Sequence, residues 1–243
     1  MIDIHCHMLP AVDDGARDLQ EAVALVRLAE SDGIRELVLT PHIYAGRFDN
    51  SLEDLEPRFA AFVQLVQSKE IDVALHLGAE VHLLPESLAL IEAGGVPFVG
   101  SWAGEQALLL ELHDARIPPF AANAIRHLRR RGLRPIIAHP ERNRAVMADA
   151  GCLTPLLEAG CLLQVTAGSV VGAFGPRAQQ SAFELLDRRW VQFVASDAHN
   201  QLYRPPMMKR ARAALAARHG EELAETLTAS NPHRLVHGEP PAP

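Results

Sequence analysis

The sequence predicts an α/β fold built on parallel strands, and three observations carry that reading. Seven apolar, strand-like runs alternate with segments of helical spacing. Imidazole and carboxylate residues sit at or near the C-terminal ends of most of those runs. The length, 243 residues with 48% apolar residues, suits a single α/β barrel with a large core.

The elements follow in order. IDIHC (2–6) reads as a buried first strand. Side chains alternate along a strand, so His5 and His7 share a face and Cys6 takes the other. The following DDG, with Asp13 and Asp14, reads as a turn. From Asp18, DLQEAVALVRLAE places Leu19, Val23 and Val26 on one helical face, and Asp18 with Glu21 resembles a capping box. RELVLTPH (35–42) is the second strand and LEDLEPRFAAFVQLVQ (52–67) the second helix. VALHLGAE (73–80) and ALLLEL (107–112) are the third and fourth strands, and FAANAIRHLRRRG (120–132) is a helix. RPIIAHP (134–140) and LLQVTA (162–167) are strands, followed by the helix PRAQQSAFELLDRR (176–189). VQFVASDAH (191–199) is the last strand and PPMMKRARAALAARHG (205–220) a late helix. No linker or internal repeat divides the chain, so residues 1–238 are expected to form one domain, with 239–243 a frayed Pro-rich tail.

A doubly wound sheet satisfies this alternation as well as a barrel does. The polar residues favour the barrel, because barrel strand ends converge on one rim while the ends of an open sheet are spread along an edge. Gathered at those ends are His5, His7, Asp14, His42, Glu80, Glu111, His139, Asp197 and His199. Nine such groups exceed what one ion needs and suit two or three ions that share a carboxylate. Imidazole with carboxylate suits zinc, iron or manganese, and manganese tolerates the oxygen-rich part. Glu111 interrupts an apolar run, and a buried carboxylate calls for a partner, either a metal or an arginine. Arg142 and Arg144 follow His139, Arg204 follows His199 and Arg47 follows His42; guanidinium forks match phosphate oxygens. Of the remaining histidines, His82 and His113 lie just beyond proposed ligands, and the others read as surface or helix residues. Asp13 reads as a turn residue or a support for a ligand. Trp102 and Phe98 read as core or loop anchors.

Several classes are excluded or disfavoured. The net charge of −7, with only the short basic stretch Arg129–Arg131, gives no electrostatic footprint for nucleic acid. No apolar run is long enough to cross a bilayer and no secretory leader is visible, so a cytoplasmic location is expected. The residues five intervening positions after Cys6, Cys152 and Cys161 are Val12, Glu158 and Ala167, so the Cys-x5-Arg of thiol phosphatases is missing. The GxSxG elbow and the GxxxxGK[ST] loop are missing too.

The ordered set HCH with DDG, TPH, GAE, ALLLEL, AHPERN and SDAHN with RPP resembles the PHP (polymerase and histidinol phosphatase) superfamily. Within it, the chain is most similar to the bacterial metal-dependent tyrosine-protein phosphatases of capsule and exopolysaccharide operons. The resemblance runs from residue 1 to about NPHRLVHGE. It implies a distorted (β/α)7 barrel with three divalent metal ions, manganese foremost and iron or zinc compatible. By that resemblance His5, His7, Glu80 and Asp197 hold one ion. Glu80 bridges to a second ion, bound also by Glu111 and His139. Asp14, His42 and His199 hold the third, and Arg142 and Arg204 bind phosphate. The implied activity is hydrolysis of protein phosphotyrosine, with a tyrosine autokinase tail as partner. The alternatives are another PHP phosphoesterase, acting on histidinol phosphate or a nucleotide, and a silent metal-binding regulator.

Overall fold

The computed structural model describes residues 1–240. Ten strands are present: β1 (Ile2–Cys6), β2 (Glu36–Leu39), β3 (His42–Ile43), β4 (Ala74–Leu77), β5 (Glu80–His82), β6 (Gly100–Trp102), β7 (Glu105–Glu111), β8 (Leu133–Ala138), β9 (Leu162–Thr166) and β10 (Phe193–Ala195). One sheet runs β1-β2-β4 and the other β10-β9-β8-β7-β5-β3. Every pairing along these two orders is parallel; β6 alone pairs antiparallel, on β7. The fold is therefore α/β with parallel sheets, as expected.

The strand-like runs 35–42 and 73–80 each divide in two. Pro41 has no N–H to offer a ladder, and it separates β2 from β3. Gly78 lies between β4 and β5, where an added Cβ would come within 2.8 Å of Val99 Cγ1 and 2.9 Å of Val38 Cγ1. Backbone hydrogen bonds cross these interruptions: Thr40 N to Cys6 O (2.8 Å), Gly78 N to Leu39 O (2.8 Å) and Glu80 N to Pro41 O (3.2 Å). Asp197 N to His5 O and His7 N to Ala198 O, both 2.8 Å, tie the chain after β10 to β1.

The long helices form in the predicted segments, but the first buries a different face from the one read for it, since Leu19 is exposed and Val23 half-buried. Leu19–Ser31 buries Ala22, Leu25, Val26 and Ala29, and Asp18 caps it by accepting from Glu21 N at 2.9 Å. The reciprocal half of the capping box is shifted by one residue, since Glu21 Oε2 takes Arg17 N rather than Asp18 N. Helices Leu52–Ser68, Ala121–Arg130, Pro176–Asp187 and Met208–His219 match the four other predicted segments. The main core lies between these helices and the sheets. A smaller cluster with Ile4, Val38, Leu109, Ile136 and Phe193 covers the opposite sheet face. Trp102 joins it, edge-on to Phe193 at 5.2 Å, as a core anchor. At period two, that same face continues from Leu109 to Glu111 and from Leu162 to Gln164. Below is apolar packing; at the strand ends the face turns polar. The expected frayed tail falls on residues 239–243, of which 241–243 lie outside the described residues.

Candidate metal centre

The nine predicted residues converge. His5 is the next-to-last residue of β1 and His7 follows the strand directly, His42 opens β3, Glu80 opens β5 and Glu111 closes β7. His139 and Asp197 directly or closely follow β8 and β10, in left-handed backbone conformations with φ of 33° and 53°. Such conformations are uncommon outside glycine. At these two positions they turn the chain out of the strand exactly where a side chain is needed at its end. Asp14 and His199 lie on loops. Gly15 makes the first loop possible: an added Cβ would stand 2.0 Å from His7 O and 2.6 Å from His7 Cβ.

Three groups of side chains have the composition and spacing to hold a metal ion. His5, His7, Glu80 and Asp197 form the first, and all four are fully buried. His5 Nε2 lies 3.2 Å from Glu80 Oε2 and 3.3 Å from Asp197 Oδ1; the corresponding distances from His7 Nε2 are 3.2 and 3.5 Å. Ligands about 2.0–2.1 Å from a tetrahedral ion stand about 3.3 Å from one another, so the spacing fits. His7, Asp14, His42 and His199 form the second group, in which His42 Nε2 and His199 Nε2 lie 3.4 and 3.5 Å from Asp14 Oδ1. The third is His42, Glu80 and Glu111. His139 Nε2 stands beside it, 2.7 Å from Glu80 Oε1 and 3.9 Å from Glu111 Oε1. His42 therefore faces the third group as well as the second, a sharing the sequence reading did not include.

The donor atoms are prepared for cations. His5 Nδ1 donates to Gln164 Oε1 (2.8 Å), His7 Nδ1 to Asp13 Oδ2 (2.7 Å) and His199 Nδ1 to the Asp197 carbonyl (3.0 Å). Each bond holds a proton on Nδ1 and aims Nε2 at the centre, the nitrogen that an ion would take. Four buried atoms that point there, His42 Nδ1, Glu80 Oε2, Asp197 Oδ1 and His199 Nε2, have no hydrogen-bond partner. Buried polar atoms are rarely left so, and here a shared cation is the partner they fit.

The titration behaviour follows from the same crowding. Burial works against ionisation of Asp197, but Arg142, His5 and Arg204 outweigh it and hold the carboxyl well below its usual range. Burial likewise opposes ionisation of Glu80, and His5, His42 and His139 overcome it. Burial, with His7 nearby, pushes His199 down to about 4 and lowers His42, so both are neutral imidazoles suited to ligation. His5 and His7 are raised despite burial, the first chiefly by Glu80 and Asp197, the second chiefly by Asp13.

Above the groups opens a cavity of about 320 Å³ whose wall includes Tyr44, Arg47, Asp114, Arg142 and Arg204. Arg142 Nη2 and Arg204 Nη2 both meet Asp197 Oδ2, at 2.8 and 2.5 Å, and both guanidinium groups lie over the Phe174 ring. Glu141 anchors the turn that carries Arg142, accepting from Thr166 N (3.0 Å) and Ser169 Oγ (2.6 Å). Arg47 approaches Asp14 at 3.7 Å. Arg144 lines a separate groove with Arg177.

The other singled-out residues sort as follows. Asp13 orients His7 and accepts from His42 N at 2.9 Å, the supporting role read for it. His82 meets Glu111 at 2.9 Å and is stacked under Tyr44 at 4.0 Å, while Phe48 stacks on His42. His113 accepts from Ala115 N and stays outside the three groups. Glu111 has the imidazoles of His42, His82 and His139 within 4 Å, and no arginine pairs with it among the described residues. Cys6 and Cys161 are buried, which pushes the first thiol well above its usual value and the second to about 12. Gln164, bonded to His5, and Glu141, under Arg142, are buried polar residues beside the centre that the sequence reading did not single out. A lone amide inside LLQVT was the available signal for the first.

Buried imidazoles and carboxylates, gathered in groups at the ends of parallel strands beneath two guanidinium groups, define a metal-binding α/β protein. The chain belongs to the CpsB/CapC family, described as capsular polysaccharide synthesis, which it matches over residues 1–237. It is 33% identical over 252 residues to the tyrosine-protein phosphatase YwqE of Bacillus subtilis (strain 168), covering 100% of this chain and 96% of that protein. It is 28% identical over 241 residues to the tyrosine-protein phosphatase CpsB of Streptococcus pneumoniae, covering 97% and 98%. Superposed on a crystal structure from work on YwqE of Bacillus subtilis and CpsB of Streptococcus pneumoniae, described as unique metal-dependent tyrosine phosphatases, it gives a TM-score of 0.91 at 31% identity, over 98% of this chain and 95% of that one. A mutant organophosphorus hydrolase of Deinococcus radiodurans shares the fold alone, with a TM-score of 0.58 at 14% identity over 95% and 90% of the two chains. Among the described residues no helix is long and apolar enough to cross a membrane.

Proposed function

We propose that this protein is a metal-dependent tyrosine-protein phosphatase, with one catalytic domain over residues 1–238 in a distorted (β/α)7 barrel. The hydrogen bonds that carry the chain after β10 onto β1 support the barrel reading. The observation that carries the activity is the stacked arrangement of the site. Arg142 and Arg204 are fixed on one oxygen of Asp197, directly above three groups of metal-binding side chains.

His5, His7, Asp14, His42, Glu80, Glu111, His139, Asp197 and His199 hold three divalent ions in this reading, with manganese the first candidate. The bound ions supply Lewis-acid activation of water and neutralise charge on the phosphoryl group. Arg142 and Arg204 grip the phosphate oxygens, and Asp197 keeps their forks aligned. Phenolate, whose conjugate acid has a pKa of about 10, leaves more readily than an alkoxide, so little help from a general acid is required. The sequestered, high-pKa thiols of Cys6 and Cys161 and the absence of Cys-x5-Arg fit a route without a phosphocysteine. The YwqE and CpsB names support a phosphotyrosine protein as substrate, and the capsular-synthesis family supports a tyrosine autokinase as its source.

Turnover on a phosphotyrosine peptide, histidinol phosphate and a nucleoside monophosphate, compared side by side, tests the reading. The peptide should be hydrolysed fastest, chelation should abolish turnover and manganese should restore it. Preference for histidinol phosphate or the nucleotide would refute the substrate, and full activity in chelator would refute the metal dependence.

A further inference from the structure

Three large apolar side chains stand out on the surface: Leu19 is 55% exposed, Leu202 82% and Tyr203 83%. Two of them are adjacent in sequence and occupy one short loop. That loop is rigidly built. The Asn200 side-chain oxygen accepts from the backbone N–H of Leu202 (3.2 Å), Tyr203 (2.7 Å) and Arg204 (3.2 Å). His199 N donates to Arg204 O at 2.9 Å and closes the loop at its base. The loop therefore begins at a candidate metal ligand and ends at a phosphate-facing arginine. Its tip holds two apolar side chains out in water, where nothing in the chain rewards their exposure.

Beside the tip lies a groove of about 580 Å³, walled by Asp14, Arg17, Glu21, Leu202 and Tyr203. Asp14 also walls the cavity over the metal groups, so that residue borders both hollows, and Tyr203 lines the groove while its neighbour Arg204 lines the cavity.

We propose that this groove is the docking subsite for the polypeptide flanking the phosphotyrosine, with Leu202 and Tyr203 packing on an apolar residue beside it. The proposal rests on the phosphotyrosine-phosphatase reading and names the feature of substrate that the same site selects. The occupant is a polypeptide because the substrate in this reading is a tyrosine within a chain, and the groove lies next to the phosphate cavity, with Asp14 on the border of both. An apolar neighbour is selected because the loop presents a leucine and an aromatic ring, whose contact is worth more the more water it removes.

The test compares three substrates: a phosphotyrosine peptide with apolar flanking residues, the same peptide with glycine flanks, and phenyl phosphate. Wild type, the double variant Leu202→Ser with Tyr203→Ser, and Tyr203→Phe are assayed as metal-loaded protein with metal content and melting temperature checked. In the double variant the KM for the apolar-flanked peptide should rise about tenfold with kcat held, the glycine-flanked peptide and phenyl phosphate should change less than about twofold, and Tyr203→Phe should behave as wild type. Unchanged KM for the apolar-flanked peptide overturns the proposal. So does an equal loss on peptides and phenyl phosphate, which would mean that the loop acts by positioning His199 or Arg204. A wild-type dimer that the double variant dissociates, seen by light scattering, would assign the patch to a second copy of this chain and overturn it as well. Wild-type turnover of the glycine-flanked peptide tests the phosphatase reading by itself; its absence removes that reading, and the docking subsite with it, before any variant is compared.

Discussion

Replacing Gln164 by leucine tests whether the metal centre depends on a residue that touches no metal. Gln164 and His5 are both fully buried, and Gln164 Oε1 accepts the His5 Nδ1 proton at 2.8 Å. The amide Nε2 has no partner, so leucine removes one hydrogen bond and leaves no other group stranded on the amide side. What changes is His5. A buried Nδ1–H without an acceptor costs about 1–3 kcal/mol. The ring can escape that cost by moving the proton to Nε2, which would then donate to Glu80 Oε2 at 3.2 Å or Asp197 Oδ1 at 3.3 Å. Either outcome falls on metal affinity, because a proton on Nε2 occupies the ligand lone pair. Loss of such a supporting bond weakens a site by about 10–100-fold. The metal-free protein has the tautomer escape and should lose less than about 1 kcal/mol. Competition against a fluorescent chelator gives the affinity, and urea unfolding in excess chelator gives the stability. Wild-type affinity in Gln164→Leu would refute the argument. A large loss of metal-free stability with affinity intact would make Gln164 a purely structural residue.

Glu111→Gln keeps shape and polarity but removes a charge that only imidazoles face, so the variant should stay folded, lose about one metal per chain and lose most activity; full occupancy by elemental analysis would exclude Glu111 from the centre. Gly15→Ala forces a Cβ to 2.0 Å from His7 O, which should cost about 1–3 kcal/mol and lower metal content, read by melting temperature and metal analysis; wild-type values of both would show that the loop relaxes freely. Asp3 is fully buried, and burial raises its pKa from 3.8 to about 6 against the bonds from Ser196 and His5. Because its folded pKa lies above the unfolded one, its contribution to metal-free stability is fully present below pH 3.8 and is lost as pH rises through about 6, about 3 kcal/mol in all. Asp3→Asn should remove that slope, so urea unfolding of wild type and variant in chelator should diverge between pH 4 and 8, and parallel profiles would contradict the assignment.

All seven predicted strand runs and the five long helices are present, because apolar periodicity reports burial and burial governs those elements. The division at Thr40–Pro41 is marked in the sequence only by the proline, because the apolar stretch Leu37–Leu39 runs straight into it. β6 escaped entirely. Its first residue, Gly100, sits where a Cβ would meet Leu235 O at 2.2 Å, so the strand is specified by close packing on a distant helix that no local pattern announces. The helices Pro85–Glu92, Arg144–Ala148, Thr154–Glu158, Glu221–Glu225 and Asn231–His237 are too short to show periodicity and draw their stability from tertiary packing. At the centre, seven of the nine ligand candidates stand out because they lie in apolar strands or within two residues of their ends; Asp14 and His199 lie on loops, where no such contrast marks them. How the nine divide among groups was not legible. His42 faces two groups because its two ring nitrogens point to different carboxylates, Nε2 to Asp14 and Nδ1 to Glu80, and that is a matter of ring orientation.

His7, His42 and Glu80 each belong to two of the three groups. A side chain shared in this way cannot move for one group without moving for another, so the three groups form one mechanical unit: a substitution at His7, His42 or Glu80 disturbs two of them at once, whereas one at His5, Asp14, Glu111, Asp197 or His199 disturbs only one.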